Sequence, residues 1–309
     1  MNDLRISERP VLDLHVHVGP ELLSRRYSIE TLAREAEQCF FGFAAKNHFQ
    51  PTTAWAARLM HQHGVPIIGS ITLNKGVGGI NPEAVRAALS GFKSDPEQKN
   101  REKGRFIVWM PTIHAEAHLA HYGRKDIIAD WGCDPAYQAF YPEGTGLSVL
   151  DREESGRLSD AIKAVLEIIA GEDLVLATGH LSSDEVDILV NEAVSMGIRR
   201  VVVTHPFFQA TNMPLEKQVE LSKHEGVFLE LAYVNLDMDR IPVESYIQLI
   251  EQAGSENIVL TTDLGQLKNE TVAEGWGKYF ELLKGGGISE DQLVRMAVEN
   301  PHNVAIKDT

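Results

Sequence analysis

Residues 11–18 read VLDLHVHV, an apolar run that carries two histidines one residue apart and stops at Gly19-Pro20. Its leucine and valine content predicts a buried strand, in which residues two apart point to the same face. His15 and His17 are therefore expected to face one point, with Asp13 on the same face one step deeper. Because neutral imidazole is the commonest metal ligand in proteins, the strand predicts a metal-binding pair at its end.

Further apolar, β-rich runs follow along the chain, and each of them predicts a buried strand. They begin at Phe40, Val65, Phe106, Leu174, Val201, Val227 and Ile258. Amphipathic segments lie between them, and in the clearest one a Ser182/Glu185 capping box precedes a helical pattern that Gly197 would end. Eight buried strands alternating with helices predict an α/β protein, a parallel (β/α)8 or TIM barrel. A doubly wound sheet is the alternative, but the turn after the first strand is not G-x-G-x-x-G.

The fourth and fifth predicted strands lie much further apart in the sequence than the others do. The excess runs from about residue 113 to 151 and is punctuated by glycine and proline. We therefore predict one domain over residues 1–309, with a lid-like insertion after strand 4 at residues 113–151.

Charge and cysteine content restrict the partners and the compartment. The net charge is −15, with 44 acidic and 29 basic residues, so the overall field repels nucleic acid and anionic membranes. The two cysteines form no disulfide framework, and no apolar run has signal-peptide or membrane-spanning length. A cytoplasmic protein with a small-molecule substrate is expected, and homo-oligomerisation stays open.

Polar residues cluster at the ends of the predicted strands. Beyond His15 and His17 they are Lys46 and His48 on the second strand, His180 on the fifth, His205 on the sixth and Asp263 near the end of the eighth. Five of the 12 histidines fall at such positions, more than a random scatter would place there. In a β/α barrel these strand ends converge on the mouth that carries the active site, so the cluster predicts a metal site there.

This pattern resembles the amidohydrolase superfamily of metal-dependent hydrolases, in order and over nearly the whole chain. The resemblance implies that His15 and His17 hold a first metal, that His180 and His205 hold a second metal or contact substrate, and that Asp263 binds metal and transfers protons. His205 and Asp263 are then the catalytic residues. The implied reaction is hydrolysis of a small-molecule amide, lactone or ester bond by a metal-activated water, with one or two divalent ions, first Zn²⁺ and otherwise Mn²⁺ or Fe²⁺.

One departure leaves the number of metal ions open. Binuclear members carry a bridging glutamate or carboxylated lysine at the end of strand four, where this sequence has Met110, Pro111 and Thr112. Lys46 would replace the bridge if it were carboxylated, or as an ammonium it would bind an anionic substrate, which is the more ordinary role. Glu116 is another candidate bridge if the insertion folds inward.

Other interpretations remain open. AAKNHF at the second strand also resembles the PHP-type phosphoesterases, with His48 as a ligand, although Asp263-Leu264-Gly265 lacks their final Asp-x-His pattern. A metal-dependent decarboxylase on the same scaffold is a further alternative. Lys46, His48 and His114, the last of these in the insertion, are the predicted substrate-binding residues. Glu230 lies in the middle of a strand, where it either pairs inside the barrel or forms the floor of the site.

Overall fold

The computed structural model describes residues 4–93, 105–124, 139–154 and 156–306. The strands in these ranges are all paired in parallel. They are β1 (Val11–His17), β2 (Phe41–Lys46), β3 (Ile67–Ile68), β4 (Ser70–Thr72), β5 (Ile107–Trp109), β6 (Val175–Ala177), β7 (Val201–Val203), β8 (Val227–Ala232) and β9 (Ile258–Thr261). Segments β3 and β4 are the two halves of the third predicted strand, so the eight predicted strands are confirmed.

The helices follow the strands in the alternation that the sequence predicts. They are α1 (Ile29–Cys39), α2 (Thr53–His63), α3 (Pro82–Lys93), α4 (Glu116–His121), α5 (Asp160–Glu172), α6 (Ser183–Ser195), α7 (Leu215–Ser222), α8 (Tyr233–Met238), α9 (Val243–Ala253), α10 (Val272–Gly285), α11 (Glu290–Val294) and α12 (Asn300–Ala305). Helix α6 begins at the predicted capping box between Ser182 and Glu185. Among the described residues, no helix combines the length and the apolar character that crossing a membrane requires.

The strands form a ring that is irregular at two places. We call these places the first seam and the second, or closing, seam. The first seam is Gly69, which interrupts the third strand: β3 pairs with β2, and β4 pairs with β5. The second joins β1 to the chain after β9, where Asp263 N–H donates to His15 O (2.9 Å) and His17 N–H donates to Leu264 O (2.7 Å). These bonds place the last strand beside the first, which closes the predicted barrel.

Gly265 permits this closure. Its φ is +127°, and a Cβ on it would lie 2.1 Å from His17 O. Only glycine allows the two chains to approach so closely at that backbone angle.

The expectation for Asp13 is wrong. The pairing of β1 with β2 shifts register between Asp13 and Val16, which is a bulge that changes the phase of the side chains. The Asp13 carboxylate instead accepts hydrogen bonds from Thr262 Oγ1 (2.6 Å) and from Trp276 Nε1 of α10 (3.1 Å). Burial raises the pKa of this carboxyl to about 7. Asp13 therefore fastens the closing seam to α10 and does not join the histidines.

The insertion after the fourth barrel strand is described at its two ends, and residues 125–138 lie outside the described residues. Ala115 bridges to Leu147 as a short parallel pair, which draws the two ends of the insertion together. Helix α4 lies in the first of these ends, so the insertion brings side chains of its own to the barrel. Its role as a lid stays a prediction.

Candidate active site

Three predicted metal-binding residues meet at the closing seam. His15 Nε2 and His17 Nε2 lie 3.0 Å and 2.9 Å from the same atom, Asp263 Oδ1. Neither contact has hydrogen-bond geometry, and Oδ1 has no hydrogen-bond partner among the described residues. Asp263 also has a left-handed backbone, with φ 54°, a conformation that costs energy in a residue other than glycine. Two imidazole nitrogens and one carboxylate oxygen thus converge on one point.

Glu230 holds the ring of His15 in place through a hydrogen bond. The sequence left the role of this buried carboxylate undecided. Its Oε1 accepts from His15 Nδ1 (2.9 Å) and from Thr261 Oγ1 (2.9 Å), while Oε2 accepts from the backbone N–H of His205 (2.9 Å). Burial alone would raise the pKa of Glu230, but His15 holds it below its usual value. Because Nδ1 of His15 is bonded to this carboxylate, Nε2 is left as the metal-ligating atom of the ring, and it faces Asp263.

Lys46 lies at the same point. Its Nζ is 2.8 Å from His15 Nε2 and 4.0 Å from the centre of the Trp109 ring. The side chain is fully buried, and burial lowers the pKa of Lys46 to about 8. The structure therefore places this amine beside the three converging donor atoms, as the sequence predicted.

His180 and His205 follow the ends of β6 and β7 and face each other with ring centres 5.1 Å apart. Burial lowers the pKa of His205 to about 4 and that of His180 well below its usual value, so both rings are neutral near pH 7. His180 Nδ1 lies 2.9 Å from Nδ1 of His118, on α4 of the insertion. His118 thus fixes the orientation of His180, a contact that the sequence did not reveal.

A cavity of about 270 Å³ opens beside these groups. Its lining combines site residues with apolar side chains that surround them: His17, Arg25, His48, Tyr122, His180, His205, Phe208, Val234, Asn235, Met238, Asp239, Asp263 and Gln266. Its size and mixed lining suit a small molecule with both polar and apolar parts. A larger groove, of about 800 Å³, lies between α9 and α10, and none of the site histidines lines it.

The other two predicted substrate-binding residues are His48, which is part of the barrel wall, and His114, which is part of the insertion. His48 lines the cavity, and its Nδ1 lies 3.0 Å from Thr112 Oγ1. His114 is buried with its ring against Phe49 and Tyr141, and it does not line the cavity. A substrate contact from His114 would require the insertion to rearrange.

Glu116 is tied to the insertion itself. It pairs with Arg124 and accepts from the backbone N–H of Gly146 (2.8 Å). These contacts account for its carboxylate, so the structure does not bring Glu116 to the histidines as a bridge.

The converging donors fit a divalent cation. The donor atoms of His15, His17 and Asp263 all lie within 4.8 Å of one another in a buried setting. The unpartnered Oδ1 of Asp263 is the kind of atom that a bound ion would satisfy. A second group, formed by His15, His205 and Glu230, also has its donor atoms within 4.8 Å of one another. Its carboxylate already accepts three hydrogen bonds, so the first group fits an ion better.

Comparison with known protein families shows which family the chain belongs to. The family model DUF6282, described as a family of unknown function, matches residues 10–230, more than half of the sequence. The chain belongs to this family. The matched part of the DUF6282 chain includes His15, His17, His180, His205 and Glu230, whereas Asp263 lies beyond it. No curated protein sequence matches the DUF6282 chain.

Solved structures show the fold of this DUF6282 protein. An amidohydrolase from Mycoplasma synoviae is 13% identical with a TM-score of 0.59, over 98% of this chain and 89% of that one. Organophosphorus hydrolase from Deinococcus radiodurans is 12% identical with a TM-score of 0.56, over 97% and 93%. An amidohydrolase from Pseudomonas aeruginosa is 10% identical with a TM-score of 0.55, over 98% of both. The chain therefore shares its fold with these three proteins, in agreement with the predicted (β/α)8 barrel.

Proposed function

We propose that this protein is a metal-dependent hydrolase of a small-molecule amide, lactone or ester bond. The observation that carries the proposal is the convergence of His15 Nε2, His17 Nε2 and Asp263 Oδ1 at the wall of the cavity. The amidohydrolase-type barrel supports it, because active sites of such barrels lie where these residues lie.

His15, His17 and Asp263 would hold the ion, Zn²⁺ first and otherwise Mn²⁺ or Fe²⁺. A divalent ion bound there would acidify a water and polarise the carbonyl oxygen of the amide, lactone or ester. Asp263 orients the attacking water, takes its proton and delivers it to the leaving group. The contacts with His15 and His17 outweigh burial and hold the pKa of Asp263 well below its usual value, so it is ionised before the reaction.

His205 and His180 complete the proposed machinery from the cavity wall. A neutral imidazole can donate one N–H, and His205 would donate to the substrate oxygen on which charge develops. His180, held by His118, would support the same oxygen or bind a second ion. Lys46 beside His15 supplies a local positive charge that favours a single-ion site.

The insertion at residues 113–151 would cover the cavity as a lid within one domain, and His48 would contact the substrate. A PHP-type arrangement has less support, because the carboxylate that is grouped with His17 and His48 is Glu21, which is paired with Arg25. We place the protein in the cytoplasm on the cysteine content of the sequence.

The test is the metal content of purified protein, measured by plasma mass spectrometry after reconstitution with zinc and removal of the excess. We expect about one ion per chain in the wild type and almost none after the double substitution His15→Ala/His17→Ala. The matched control is His61→Ala/His63→Ala, which removes the other H-x-H pair, at the end of α2. A wild type that binds no divalent metal, or a double variant that keeps it, contradicts the proposal.

A further inference from the structure

Arg25 places a buried positive charge at the cavity. It lies in the loop between β1 and α1, its side chain is 3% exposed, and it lines the cavity together with His17 and Asp263. Its charge is close enough to contribute to the lowered pKa of His17, after the larger effect of burial. Burying a guanidinium almost completely from solvent, in a cavity of this size, costs free energy unless the group has anionic partners.

One anionic partner is present and occupies only one edge of the guanidinium. Arg25 Nε pairs with Glu21 Oε1, and the Glu21 side chain is fully buried. The other oxygen of Glu21 accepts from the backbone N–H of His48 (2.7 Å), so the carboxylate is held from both sides. Neither terminal nitrogen of Arg25 makes a hydrogen bond with any of the described residues. The fork of two terminal nitrogens is therefore available to a ligand.

The loop that carries Arg25 is fixed to the closing seam of the barrel. Arg25 bridges to Gln266 in an antiparallel pair, and Arg26 N–H donates to Gly265 O (2.8 Å). Gly19 N–H donates to Tyr27 O (2.8 Å) at the base of the same loop. The guanidinium is thus set in place before a ligand arrives, which lowers the entropy lost on binding.

We propose that Arg25 binds a carboxylate of the substrate, so that the substrate is a small carboxylic acid whose cleaved bond lies at the proposed metal centre. Two parallel N–H groups match the two oxygens of a carboxylate. A carboxylate is favoured over the dianion of a phosphate, because the same cavity is lined by the carboxylates of Asp239 and Asp263. Phe208, Val234 and Met238 would contact the apolar part of this acid. The inference rests on the proposed function and assigns its substrate class.

The experiment measures the binding of glutarate and of its neutral analogue glutaramide to the zinc-reconstituted protein by calorimetry. We expect the wild type to bind glutarate more tightly than glutaramide, and Arg25→Met to weaken glutarate binding by about 10- to 100-fold without changing glutaramide. Arg25→Lys should fall between the two, since lysine keeps the charge but not the fork. Arg34→Met, which removes an exposed arginine on α1, is the control and should match the wild type.

Arg25→Met alone leaves Glu21 buried without its partner, so the variant Glu21→Gln/Arg25→Met, which removes both charges, is measured beside it. Glutarate binding equal to the wild type in the folded variants overturns the inference, and so does a wild type that fails to discriminate glutarate from glutaramide. Zinc binding without an effect of Arg25 overturns the inference and leaves the proposed function standing. Arg25-dependent glutarate binding by a protein that takes up no metal overturns the proposed function and leaves the carboxylate site standing.

Discussion

Replacing Glu230 with glutamine should weaken metal binding, although none of the proposed metal ligands is substituted. The carboxylate accepts from three donors: His15 Nδ1, Thr261 Oγ1 and the backbone N–H of His205. A glutamine has only one accepting oxygen at this position, and its NH₂ group faces a donor. At least one buried donor therefore loses its acceptor, which costs about 1–3 kcal/mol of the free energy of unfolding.

The effect on metal affinity follows from the same contact. Loss of the carboxylate that orients a ligating histidine typically reduces metal affinity about 10- to 100-fold. We would measure zinc affinity by competition with a chromophoric chelator, and the free energy of unfolding of the metal-free protein by urea denaturation. Thr261→Val is the control, since it removes one donor to Glu230 and leaves the bond to His15 intact. Zinc affinity of Glu230→Gln equal to that of the wild type would refute the orienting role.

Two further predictions concern the insertion and the seam. His118→Phe keeps a ring against His180 and removes the 2.9 Å contact between Nδ1 atoms, so kcat should fall about 10- to 100-fold on a substrate that the wild type hydrolyses. An unchanged kcat would show that His180 needs no partner. Gly265→Ala puts a Cβ 2.1 Å from His17 O and should lower the free energy of unfolding by about 3 kcal/mol in urea denaturation. The control is Gly285→Ala in α10, where a Cβ meets nothing within 4 Å, and equal stability of the two variants would contradict the close approach.

Periodicity along the chain was enough to predict the strands and the residues at their ends. His15, His17 and Asp263 are far apart in sequence, yet a parallel barrel brings its strand ends to one mouth, and the fold follows from local patterns. Lys46 was found by the same reasoning. The prediction for Asp13 failed because Leu12, Leu14 and Val16 alternate without a break, and nothing in that alternation marks the bulge.

The residues that the sequence did not reveal depend on contacts between loops. Arg25 follows no strand end, and its position depends on the pairing of its loop with the chain after β9. His118 was noted only for its spacing from His114, and its contact with His180 requires the insertion to fold over the barrel. Glu230 was recognised as a costly buried charge, but its partner His15 lies 215 positions away. Such contacts leave no periodic signal in a single sequence.

Because the proposed metal site spans the closing seam, the site is complete only when the barrel has folded. Two of its ligands come from the first strand and the third from the end of the last strand, so a nascent chain holds no complete site until β9 has been synthesised and docked. An ion bound there would link the two ends of the barrel and add its binding free energy to the seam by mass action. Metal depletion would then act first on this seam, and β1 would separate from the chain after β9 before the rest of the barrel opened.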